Sequence, residues 1–286
     1  MEASDGIYWH EFSGKILLPP ALLIALVRFM LLCQNTAMII LLSNDDGIHA
    51  DGIIALESSL QQIGEVYTVA PEREQNAMSH ALTLHRPLRV NEVGAKRFAV
   101  DGTPTDCVKL ALTGLLPVRP DIVVSGINKG PNLGDDIIYS GTVSAAVEAA
   151  LLGIPAIAVS LVAFENPQFN AAAEFTAALL SRVAAKSIPP DTLLNVNVPG
   201  VPKEQIKGWR LTRQGKRHYS ENIVERTDPR GKKYYWIGGD DLGFAKDDGT
   251  DCMAVHEGYV SITPLQVDLT NYKLLSDNPI PSFPWP

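Results

Sequence analysis

The stretch LLSNDDGIHADG, residues 41–52, decides the fold. The aliphatic run just before it, 38–43 (MIILLS), reads as a buried strand, and Asn44, Asp45, Asp46 and Gly47 follow at its carboxyl end. An amphipathic segment over 51–62 then reads as a helix. Strand, polar turn and helix in that order open an α/β sheet, whose ligands bind outside the carboxyl ends of the strands. Adjacent carboxylates repel each other, and a hard divalent cation offsets that repulsion. The competing reading is structural, because Asn, Asp and Gly also build turns and helix caps.

Outward from this turn, short aliphatic runs alternate with amphipathic ones. Strands are expected at 65–70 (EVYTVA), 121–125 (DIVVS), 155–160 (PAIAVS) and 192–198 (TLLNVNV), and helices at 105–116, 142–152 and 170–185. In 142–152 the apolar residues Val143, Ala146, Val147, Ala150 and Leu151 recur at helical spacing, and Gly153 marks a stop. Residues 82–100 read as a β excursion punctuated by Pro87 and Gly94. The expected fold class is therefore α/β, an open, mostly parallel sheet with flanking helices over 38–198. Residues 209–240, rich in Arg, Lys, Tyr and Trp, read as a long β-hairpin arm, either an oligomerisation element or a surface loop. The arm and the following chain make up 199–270, and 271–286, with its terminal prolines, reads as a flexible tail.

Residues 1–37 need a separate account. ILLPPALLIALVRFMLLC, 16–33, approaches the length of a membrane span. Pro19, Pro20 and Arg28 weaken it as a helix, and Glu2, Asp5 and Glu11 have the wrong sign for a secretory leader. The segment is expected to be an appended leader outside the globular domain, with upstream sequence translated from a misassigned start as its source. A membrane anchor is the competing reading.

Composition narrows the partners. A hydrophobic share of 46% with 20% charged residues is that of a globular protein. The net charge of −8 argues against a nucleic-acid polymer or an anionic membrane as partner. Cys33, Cys107 and Cys252 are odd in number and have no CxxC spacing, which points away from disulfides and thiolate zinc and toward a reducing cytoplasm. The absence of GxxxxGK[ST], GxGxxG and HExxH weakens ATPase, dehydrogenase and zinc-peptidase readings.

Further loops follow strands of the same sheet. PEREQNAMSHALT, 71–83, offers Asn76, Ser79 and His80, and SGINKGPNLGDDIIYSGT, 125–142, offers Asn128, Lys129, Asn132, Asp135 and Asp136. Long glycine-bearing loops gathered at one sheet edge are typically functional. Ser140, Gly141 and Thr142 open the helix at 142, where amides and hydroxyls could receive a phosphate, or where Ser140 and Thr142 simply cap the helix. In GTPTDC, 102–107, Asp106 reads as part of a helix start, and His49 and His80 read as hydrogen-bonded bystanders.

SNDDGI (43–48), VAPERE (69–74), DGTPTDCV (101–108), VSGINKGPNLGDDIIYSGTVSAA (124–146), LNVNVP (194–199) and EGYVSITPL (257–265) together resemble the SurE stationary-phase survival family, metal-dependent 5′-nucleotidases. The resemblance covers 38 to about 270 and leaves the leader out. It implies a Rossmann-like catalytic core, a swapped arm or tail in a homodimer or homotetramer, and hydrolysis of nucleoside 5′- or 3′-monophosphates and short polyphosphate. It also implies one Mg²⁺ or Mn²⁺ held by Asp45, Asp46, Asn128 and a small polar residue after the second strand, commonly Ser and here Asn76. On this reading the ion polarises a phosphoryl oxygen and water attacks in line, with Asn44, Lys129, Ser140, Gly141 and Thr142 at the phosphate. The alternatives are an aspartyl-phosphate mechanism on Asp45 or Asp46, a nucleotide-binding regulatory module, and a membrane-anchored scaffold.

Overall fold

The computed structural model describes residues 38–183, 188–189, 191–219, 223–237 and 241–277. The leader 1–37 and the last nine residues of the expected tail lie outside that set. The first seven strands in chain order are β1 (Met38–Ser43), β2 (Gly64–Pro71), β3 (Val90–Gly94), β4 (Arg97–Val100), β5 (Ile122–Lys129), β6 (Ala156–Val162) and β7 (Thr192–Pro199). Then come β8 (Trp209–Leu211), β9 (Arg217–Tyr219), β10 (Ile223–Thr227), β11 (Lys233–Ile237), β12 (Asp241–Phe244) and β13 (Val260–Gln266). The α-helices are α1 (Asp51–Leu60), α2 (Pro104–Leu110), α3 (Gly141–Leu151), α4 (Asn170–Arg182), α5 (Asp251–His256) and α6 (Tyr272–Asp277).

Nine strands form one sheet in the order β3-β4-β2-β1-β5-β6-β7-β13-β8. The run from β4 to β7 is parallel throughout. β1 explains why. Ile40 and Leu42 join the apolar layer that contains Ile53 and Leu56 of α1 and Ala172 and Leu180 of α4. Leu41, pointing the other way, joins Val108 of α2 and Val143, Ala146 and Ala150 of α3. A strand covered on both faces needs an unbroken aliphatic run, which MIILL supplies. Each such side chain contributes roughly 1.5–3 kcal/mol on burial. That packing fixes the end of β1, and with it the turn at 44–47.

The five strands expected along the parallel core are all present; β1, β2 and β7 fall within a residue of their expected ends, while β5 runs on to Lys129, four residues past the expected 125, and β6 to Val162. The excursion at 82–100 becomes the antiparallel pair β3 and β4, and β4 then joins β2 in parallel. The helix expected at 105–116 is shorter. α2 ends at Leu110 and widens into a π turn over Ala111–Leu115, where Gly114 leaves helical geometry. Thr103 and Asp106 cap the start of α2 reciprocally, so Asp106 is a structural residue.

The sheet continues past residue 198. β13 pairs antiparallel with β7, covering an edge that would otherwise expose a ladder of unpaired amides, and β8 extends it beyond β13. Of the 209–240 region expected as one long hairpin, β8 joins the main sheet, β10 and β11 pair with each other, and β9 pairs with β12 just beyond it. Within the segment expected as a tail, Tyr272–Asp277 forms α6, whose start is capped by Asn271 Oδ1 accepting from Leu274 N at 2.9 Å. Among the described residues no helix is long and apolar enough to cross a membrane.

Candidate metal and phosphate site

β1 ends directly in the turn that carries the acidic pair. Asn44 closes this turn on itself: its Nδ2 donates to Gly47 O at 2.9 Å and its Oδ1 accepts from Gly47 N at 3.2 Å. Gly47 has φ +101°, a conformation that side chains other than glycine's resist. Asn44 is fully buried and both ends of its amide bond Gly47, so the contacts it makes shape the turn.

Asp45 is 4% exposed and sits beneath the amino terminus of α3. Thr142 Oγ1 donates to its Oδ1, and a Cβ added at Gly141 would lie 2.8 Å from Asp45 Cβ and 2.9 Å from Oδ2. Only glycine at 141 lets the helix end approach this closely. Burial pushes the Asp45 carboxyl up from its usual range, against hydrogen bonds from Thr142 that pull it down. Asp46, partly buried, accepts from Lys129 N at 3.3 Å through Oδ2. Burial first, and then the Asp45 charge, push it up to about 6. Each carboxylate is thus costly to ionise without a neighbouring cation.

Asn128, at the end of β5, donates from Nδ2 to Gly130 O at 2.9 Å. That bond fixes the amide and leaves Oδ1 without a hydrogen bond among the described residues. The exposed Lys129 ammonium has no ion-pair partner among the described residues, and its charge acts on Asp46. The sequence-predicted residues Asp45, Asp46, Asn128, Lys129, Gly141 and Thr142 therefore meet at one end of the sheet.

Ser140 and Asn76 are placed differently. Ser140 Oγ accepts from Val143 N at 3.0 Å, which is N-capping. Asn76 is exposed and its Nδ2 donates to Glu74 Oε1, with no hydrogen bond to either aspartate. Its loop nonetheless reaches the site, because Gln75 N donates to Asp45 O at 2.8 Å. Glu74 is the residue that the sequence reading missed. Its charge raises the proton affinity of both Asp45 and Asp46. The signal was a third acid in the loop after β2, masked by the arginine beside it.

Other candidates serve the scaffold. Asn132 is buried, its N–H donating to Asn197 Oδ1 at 2.9 Å and its Nδ2 to Ser160 Oγ at 2.8 Å. Asp136 pairs with Arg217 at 2.8 Å, tying this loop to the arm's base. Ser79 Oγ donates to Ile138 O at 2.8 Å. His80 Nε2 meets the buried Glu148 at 2.9 Å, and Lys109 meets its other oxygen at 2.8 Å. This pair holds the Glu148 carboxyl below its usual range.

A divalent cation fits these residues chemically. Every available donor is oxygen, two are carboxylates that burial makes costly to ionise, and the third is an amide oriented by its own nitrogen. Among the described residues no three His, Cys, Asp or Glu side chains converge as a ligand set, so the pair must be completed by amide oxygens or water.

Fold and site together define an α/β protein with an open, mostly parallel sheet and an adjacent carboxylate pair, one member buried and one partly so, at its ligand end. Comparison with known proteins then gives the family. Residues 40–221 match the family model described as Survival protein SurE. The chain belongs to the SurE family. It is 57% identical over 240 residues to the 5′-nucleotidase SurE of Geotalea daltonii, covering 84% of this chain and 97% of that one. It is 58% identical over 240 residues to the 5′-nucleotidase SurE of Geobacter sulfurreducens, covering 84% and 92%. The crystal structure of the SurE protein from Aquifex aeolicus superposes with a TM-score of 0.76 at 47% identity, covering 84% of this chain and 97% of that one.

Proposed function

We propose that this chain is a metal-dependent phosphohydrolase that releases phosphate from nucleoside 5′-monophosphates. The observation that carries this is the Asp45–Asp46 pair at the end of β1, with Asp45 desolvated beneath the amino terminus of α3, a place that needs a cation and attracts a phosphate. The names of the relatives support the same activity. Asp45, Asp46 and Asn128 would hold the ion, Mg²⁺ or Mn²⁺, with Asn76 Oδ1 as a further ligand from the loop that bonds Asp45. When bound, the ion supplies Lewis acidity at the phosphoryl group and neutralises its charge.

The chain's own residues do the positioning. Thr142 orients Asp45 through its hydroxyl, and Gly141 lets the helix end close on the carboxylate. The Gly141 amide at the start of α3 and the Lys129 ammonium, whose charge acts on Asp46, would offset phosphate charge. Ser140 and Asn44 hold the helix start and the turn in register. The arm at 209–240 would join copies of the chain into a homo-oligomer, since Tyr234, Tyr235 and Trp236 stand exposed on β11. Buried free Cys107 and Cys252 suit a reducing cytoplasm.

The test is phosphate release from a panel of 5′- and 3′-monophosphates and short polyphosphate. The protein is first stripped with chelator and then titrated with Mg²⁺ or Mn²⁺. Activity that returns with metal, without a trapped phosphoenzyme, supports direct attack by water. Activity independent of metal would refute the reading.

A further inference from the structure

A polar pocket of about 330 Å³, lined by Glu72, Arg73, Gln75, Arg86, Val100 and Asp101, opens beside the site. It lies beyond the ends of β2 and β4, at the same edge of the sheet as the acidic pair. The order β4-β2-β1 and a spacing of about 4.8 Å between strands place it roughly 5–10 Å from the end of β1. One turn separates the two. Its Gln75 amide bonds Asp45 O at 2.8 Å, and the Arg73–Glu74 peptide packs on Gly47, 3.4–3.5 Å from where a Cβ would stand.

We infer that this pocket receives the nucleobase of the substrate, with Arg73 and Gln75 as its recognition residues. The inference rests on the nucleotidase reading and assigns the part of that substrate which carries no phosphate. Charge identifies the occupant. Glu72 and Asp101 balance Arg73 and Arg86, so the pocket is formally neutral and does not collect a second phosphate. Arg86 is already committed, donating to Asp101 Oδ2 at 3.0 Å and to Pro87 O at 3.2 Å. Arg73 has no hydrogen bond or ion pair among the described residues, and neither does the Gln75 side chain. A planar guanidinium that stacks or donates and an amide that both donates and accepts match a flat heterocycle with a mixed polar edge. A phosphate held at α3 would leave the sugar to bridge the intervening distance.

The experiment compares kcat/KM for nucleoside 5′-monophosphates with that for p-nitrophenyl phosphate, which has no base, using full-length wild type and Arg73→Ala with Mn²⁺. The expected result is a ratio about ten-fold lower in the variant, carried by KM, the size of one lost charged hydrogen bond. A second measurement uses adenosine, without phosphate, as an inhibitor of p-nitrophenyl phosphate hydrolysis. It should compete in the wild type and about ten-fold more weakly in Arg73→Ala. If both substrates change equally, or neither changes, while the wild type hydrolyses monophosphates, the pocket assignment is overturned and the nucleotidase reading stands. If the wild type cleaves p-nitrophenyl phosphate but no nucleoside monophosphate, both are overturned.

Discussion

Replacing Asp46 by Asn should make the metal-free protein more stable at neutral pH while abolishing its response to metal. The folded-state carboxyl is pushed up to about 6 from an ordinary 3.8, by burial and by the Asp45 charge. A carboxyl with a raised folded pKa binds its proton more tightly folded than unfolded. Stability therefore falls as pH rises from about 4 to about 6, and the loss is complete above that window. At about 1.36 kcal/mol per unit the full shift corresponds to about 3 kcal/mol. Asp46 keeps some contact with solvent, and screening reduces the realised figure to about 1–2 kcal/mol. Asn has the same shape, and its amide oxygen can still accept from Lys129 N, so the bond at 3.3 Å survives. The assay is urea unfolding in chelator at pH 7.5 and pH 4. Asp46→Asn should exceed wild type by about 1–2 kcal/mol at the higher pH, with the gap closing at the lower. Saturating Mn²⁺ should then reverse the order, because ligand at a hundred times its Kd stabilises wild type by about 2.7 kcal/mol and the variant far less. A variant less stable than wild type in chelator at pH 7.5, or a gap that ignores pH, would refute the reasoning.

Gly141→Ala puts a methyl 2.8 Å from Asp45 Cβ and 2.9 Å from its Oδ2, so the carboxylate must shift. Turnover should fall at least about ten-fold with far-ultraviolet circular dichroism unchanged, and wild-type kcat/KM would count against the close approach. A chain beginning at Met38 should fold and keep full activity, since the described site residues and both apolar layers are built from Met38 onward. Loss of either would show that the leader belongs to the fold. Deleting 223–237, which carries exposed Ile223, Tyr235, Trp236 and Ile237, should reduce particle mass in light scattering, and an unchanged mass would make the arm a surface loop only.

The parallel core was legible because its strands are short aliphatic or β-branched runs alternating with amphipathic stretches, signals that are local in the sequence. β13 was not, because its place beside β7 is set by pairing across more than sixty positions, Ser261 with Asn197 for example. At the site, Asp45 and Asp46 announced themselves by adjacency to a strand end. The role of Asn44 in the turn was not legible: a polar residue beside two acids reads as a ligand, and only the fold shows both ends of its amide bonded to Gly47. The contact between Thr142 and Asp45 joins residues 97 positions apart, and no local pattern encodes it. Glu74 was hidden for a related reason, since its influence on the pair is electrostatic and depends on where the loop folds.

The most direct test of the central claim is phosphate release from a nucleoside 5′-monophosphate by Asp45→Asn protein beside wild type, both at saturating Mn²⁺. Asp45 is buried, held by Thr142 and placed against Gly141, so removing its charge should cost most of the turnover while the fold persists. A folded Asp45→Asn protein that releases phosphate at the wild-type rate would contradict the account.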